Sequence, residues 1–163
     1  MIMRKSEADL LSHIQEKMGD SWLPTIYRDR ILKMRTRSYE FPALPRNAAP
    51  QIDHTLLGVE LKVGRTRMIC PDLATARYLS VFARLGCNAV AIPYDITKIS
   101  QIADELESSW HRMLLLADRP TVKPPSQART RRLLVAEVRE AISAAGAGTR
   151  IPEFKLSTKQ RSQ

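Results

Sequence analysis

Glu60 and Lys62 stand two residues apart in Val59-Glu60-Leu61-Lys62-Val63, a run whose remaining positions are apolar. In a β-strand successive side chains alternate faces, so the carboxylate and the ammonium share one face while Val59, Leu61 and Val63 line the other. Asp53 lies seven residues before Glu60, within reach from a neighbouring strand or the preceding turn. Asp53 and Glu60, with a main-chain carbonyl such as that of Leu61, are hard oxygen donors suited to Mg²⁺ or Mn²⁺. A cation held there lowers the pKa of a water molecule and stabilises negative charge developing on phosphoryl oxygens. Lys62 is then placed to orient or deprotonate the water, or to stabilise the pentavalent phosphate. The chemistry these residues fit is phosphodiester hydrolysis.

The elements needed to position them are legible around them. The pattern Asp53 … Glu60-Leu61-Lys62, then a hairpin return, an amphipathic helix and the strand Asn88 to Tyr94, resembles the PD-(D/E)xK nuclease superfamily over roughly residues 4 to 118. In outline it is most similar to the small Holliday-junction resolvases and RecB-like nuclease modules. The resemblance implies an α/β fold with a small mixed central sheet flanked by helices, a restriction-endonuclease-like core. It also implies a Mg²⁺-dependent endodeoxyribonuclease, and a glutamate early in the first helix that reaches the metal site. Glu7 is that fourth polar member, with Glu16 as the second choice. Junction resolution, site-specific cleavage of the homing or restriction type, and end-processing all remain open. Duplex or branched DNA presents two strands to cut, so a homodimer or higher homo-oligomer is expected.

Taken in order, Ser6 caps a first helix that runs to about Met18, and Glu7 in its first turn also interacts favourably with the helix dipole. Residues 21–37 interleave Arg28, Arg30, Lys33, Arg35 and Arg37 with Trp22 and Tyr27, which makes either a solvated face or a phosphate-contacting surface. Three prolines in Phe41 to Pro50 forbid a regular element and leave a loop. Gln51 to Lys62 supplies two strands, and Arg67 to Cys70 returns after the turn at Gly64-Arg65. Arg65 and Arg67 project from that hairpin toward phosphate or solvent.

Asp72 and Gly86 bracket the clearest helix, on which Arg77, Ser80 and Arg84 share one side. If that side faces the site, Arg77 contacts a phosphate. Asn88 to Tyr94 reads as a central strand buried on both faces. Asp95 to Asp118 is a long helix whose Asp104, Glu105 and Glu107 are expected in solvent. Arg119 to Gln127 has linker composition, and a helix follows over Arg129 to Ala145. Arg129, Arg131 and Arg132 at its start oppose the helix dipole, so Arg131 and Arg132 are further candidates for phosphate contact. The expected organisation is a nuclease-like core over residues 1–118, a linker over 119–127, and a C-terminal helix with a basic tail over 128–163.

The bulk properties agree with a polyanionic partner. The chain carries a formal charge of +9 with pI near 10.0. That charge sits at the ends: +3 over residues 1–50 (9 basic, 6 acidic), −1 over 51–118 (7 and 8) and +7 over 119–163 (10 and 3). Basic ends around a carboxylate-bearing centre suit a protein that grips DNA peripherally. The strand-helix-strand unit lacks a Gly-rich phosphate loop, which excludes nucleotide binding of that kind. Two cysteines and three dispersed histidines give no zinc spacing and read as a reduced, cytoplasmic protein, nucleoid-associated if bacterial or archaeal. No apolar run is long enough for a membrane span. The alternatives to a nuclease are a noncatalytic nucleic-acid-binding protein and a subunit of a larger nucleoprotein assembly.

Overall fold

The computed structural model describes residues 5–45, 48–121 and 123–148; the expected basic tail over residues 149–163 lies outside them. The fold is mixed α/β. Helix α1 (Lys5–Met18) buries Leu11, Ile14 and Met18, one stripe at helical spacing. A short α2 (Leu23–Ile26), with Pro24 in its first turn, continues into a π-helical turn over Tyr27–Ile31. Strands β1 (Thr36–Glu40), β2 (Gln51–Thr55), β3 (Gly58–Val63) and β4 (Thr66–Cys70) precede α3 (Leu73–Leu85), β5 (Ala89–Pro93) and the long helices α4 (Ile96–Asp118) and α5 (Pro124–Ala145).

The local signals at α3 act as their chemistry requires. The Asp72 carboxylate accepts from the Thr75 N–H at 2.7 Å, and Gly86 ends the helix at φ 78°, a left-handed conformation that glycine adopts without steric cost. Asp95 caps α4 in the same way, accepting from the Thr97 N–H at 2.9 Å. Helix α5 starts at Pro124, inside the segment expected to be a linker, because a proline in the first turn gives up an N–H that has no intrahelical partner anyway. Its Leu133, Leu134, Val138 and Ile142 join one buried cluster with Ile14 of α1, Phe82 of α3 and Ile92 of β5.

The expected single mixed sheet is replaced by two antiparallel sheets, a meander in the order β2-β3-β4 and a separate pair β1-β5. Strand β5 is buried as expected, but among the described residues its only strand neighbour is β1. The reason lies at Ala91, the register partner of Ser38. Backbone bonds from Phe41 N–H to Asn88 O and from Tyr94 N–H to Arg35 O bracket the ladder. Their alternation turns the N–H and C=O of Ala91 away from β1. There the Ala91 N–H donates to the Tyr27 hydroxyl at 2.9 Å, and the Tyr78 hydroxyl donates to Ala91 O at 2.6 Å. Two buried phenols thus satisfy the edge that a third strand would otherwise cover.

Candidate nucleic-acid and metal site

The meander decides which polar groups meet. Across β2 and β3, Asp53 pairs with Glu60 and Gln51 with Lys62; across β3 and β4, Glu60 pairs with Ile69 and Lys62 with Arg67. Directly opposed residues of an antiparallel pair project from the same face, with Cβ atoms about 5 Å apart. Asp53, Glu60, Lys62 and Arg67 are therefore neighbours on one face. The opposite face carries Leu61, Val63, Met68 and Cys70, all buried, and α3 packs against this sheet. A two-residue period with a one-sided core is what holds the polar set outward.

Within that set Glu60 is unusual, being only 7% exposed, whereas Asp53 and Arg67 on either side are exposed. Its polar partner among the described residues is Arg67, whose guanidinium lies 3.6 Å away. A nearly buried carboxylate gains little stability from one loose pair with an exposed arginine, so Glu60 is not explained by stability alone. For a divalent cation, Asp53 and Glu60 are donors of the right hardness on the same face. Leu61 lies in the middle strand, where its carbonyl could add a lone pair beyond its ladder bond. No group of three His, Cys, Asp or Glu side chains suited to a metal occurs among the described residues.

Most of the other candidates lie in ion pairs. The Arg129 guanidinium donates to the Glu7 carboxylate at 2.5 and 3.2 Å, tying α1 to α5. Arg77 donates to Glu107 at 2.6 and 3.1 Å and to Asp104 at 2.5 Å, and these hydrogen bonds raise its pKa. Arg30 forks onto Glu105, so the three acidic residues of α4 keep the solvent access expected of them and are also matched by arginines of α3 and the π-helical turn. Arg28 pairs with Asp29, and Arg131 with Asp118. Arg65 and Arg132 are exposed. The structure thus brings Arg67 to the carboxylates and joins Arg77 and Arg30 to the α4 surface.

Two features escaped the sequence reading. Gln51 and Ile69 share the face of Glu60, which follows from cross-strand register rather than from any motif. The hydroxyls of Tyr27 and Tyr78 close the edge of β5, and no local pattern marks them. The chain matches no protein-family model, no curated protein and no solved structure.

Proposed function

We propose that this protein is a Mg²⁺- or Mn²⁺-dependent endodeoxyribonuclease with a divergent restriction-endonuclease-like core. The observation that carries the reading is the pairing of Asp53 with Glu60, with Lys62 on the same face one alternation away. In this reading Asp53 and Glu60 hold the cation, which supplies charge stabilisation and an acidified water. Lys62 orients the attacking water or takes its proton. Arg67 and Arg65 hold the DNA backbone beside it, and the net positive charge provides salt-dependent affinity. A homo-oligomer would present two such faces to two strands.

One observation favours a noncatalytic DNA-binding protein instead: Glu60 already has Arg67 as its counter-ion, and no third acidic or imidazole ligand joins the pair among the described residues. The two readings separate in one experiment. Supercoiled plasmid, linear duplex and a four-way junction are incubated with the protein in Mg²⁺, with EDTA and Glu60→Ala as controls. The nuclease reading expects cutting that EDTA and Glu60→Ala abolish and that Lys62→Ala slows about 10²-fold or more. Salt-sensitive binding without cutting, with genomic DNA included as substrate, supports the binding protein.

A further inference from the structure

The turn from β2 to β3 consists of Leu56 and Leu57, and both side chains stand in solvent, at 107% and 82% exposure. Two-residue hairpin turns ordinarily use Gly, Asn or Asp, whose backbones suit the turn and whose polarity suits water. Leucine offers neither advantage. The turn is nonetheless pinned: the Thr55 hydroxyl donates to Gly58 O at 3.1 Å and accepts from the Leu57 N–H at 3.2 Å. Next to it Ile69, the cross-strand partner of Glu60, is 58% exposed. The outer face of the meander therefore runs from an apolar tip, past Asp53 and Glu60, to the cations Lys62 and Arg67.

Charge decides what such a face meets. On the meander Lys62, Arg65 and Arg67 outnumber Asp53 and Glu60 by one, and a cation held by the two carboxylates would raise that excess, so the face suits a polyanion. An apolar protein surface would cover the leucines but offer no anion to Lys62 and Arg65. Nucleic acid matches both ends at once, with phosphates for the cations and base faces for the leucines. We propose that Leu56 and Leu57 form a wedge that enters a base step beside the strand bound at Asp53 and Glu60 and opens the stack. The proposal rests on the DNA reading above. The three residues from Asp53 to Leu56 span about 10 Å in an extended strand, or about three base steps at ~3.4 Å each. The opened step therefore lies near the bound phosphate and not at it.

Stacking can be read without cutting. Wild-type protein and the double substitution Leu56→Ser, Leu57→Ser are titrated, in EDTA and in Ca²⁺, into a linear duplex and a four-way junction carrying 2-aminopurine at successive single positions. We expect wild type to raise the fluorescence of at least one position about twofold or more. The variant should bind the same DNA within about threefold, since phosphate contacts dominate affinity, and leave the fluorescence at the level of free DNA. Both leucines are exposed, so circular dichroism and the thermal midpoint should not move. Wild type that binds without a fluorescence change, or a variant that unstacks as well as wild type, overturns the wedge and leaves the nuclease reading standing. Failure of wild type to bind either DNA overturns both. If light scattering shows a wild-type dimer that the substitution splits into monomers, with stacking unaffected, a second copy covers the tip and the wedge is wrong.

Discussion

The Arg67 guanidinium reaches across from β4 to lie 3.6 Å from the Glu60 carboxylate of β3, while its own side chain stays 60% exposed. At 3.6 Å and with one partner exposed, such a pair contributes at most about 1 kcal/mol. On the proposed reading, a divalent cation at Asp53 and Glu60 would displace Arg67 from Glu60 at small cost and release it toward a phosphate. Arg67→Ala should bind Mn²⁺ more tightly, by up to about fivefold, when titrated by calorimetry. The same variant should bind DNA more weakly, with its salt slope reduced by about 1. Unchanged Mn²⁺ affinity would show that the pair does not guard the site.

The phenols at the edge of β5 should matter for stability. Tyr78→Phe removes the donor to Ala91 O at a fully buried position, which should cost about 1–3 kcal/mol in urea unfolding. Tyr27→Phe should cost more, because its hydroxyl both accepts from the Ala91 N–H and donates to Gly146 O at 2.5 Å. Unfolding midpoints equal to wild type would refute the claim that these hydroxyls stand in for a third strand.

Acid should weaken the contact between the end of α4 and the start of α5. The Arg131 guanidinium forks onto Asp118 and holds its carboxyl below the ordinary value of 3.8. A depressed carboxyl contributes stability that is present above the unfolded pKa and lost as pH falls through the folded one. At neutral pH Asp118→Asn should therefore be slightly less stable than wild type, by under about 1 kcal/mol for so exposed a pair. That gap should close as pH drops below about 3.8. A gap that persists in acid would assign the effect to packing instead.

The thiols should be inert while the chain is folded. Cys70 and Cys87 are free and buried, and burial pushes the Cys87 thiol up to about 12, with Arg139 opposing the shift. Mass spectrometry after iodoacetamide at about pH 8, below the ordinary thiol value of 9.0, should find both unmodified in native protein. Both should react in urea at least about 10³-fold faster, since access requires unfolding. Because the folded pKa is raised, stability should hold up to about pH 9 and fall above it, as the unfolded thiol ionises and the folded one does not. Rapid labelling of Cys87 in native protein would contradict its burial.

By itself the sequence determined whatever depends on near neighbours along the chain. Alternation placed Glu60 and Lys62 on one face, because a strand has a two-residue period whatever surrounds it. Asp72, Gly86 and Asp95 marked the ends of α3 and α4, because capping is made within one turn of backbone. The excess of basic residues at the ends is visible by counting. Only tertiary structure decided the rest. Asp53 meets Glu60 because the two-residue turn sets a register in which they oppose each other, and a slip of one residue would have turned Asp53 to the other face. The side of α3 bearing Arg77 was readable, but its partners Asp104 and Glu107 come from 27 and 30 residues away, when α4 packs alongside. Strand β5 has the composition of a central strand, yet the phenols of Tyr27 and Tyr78, 64 and 13 residues distant, satisfy Ala91 and end the sheet there. Local geometry repeats with a short period and is written in adjacent residues. Which surfaces then meet is settled by where the apolar faces can be buried together.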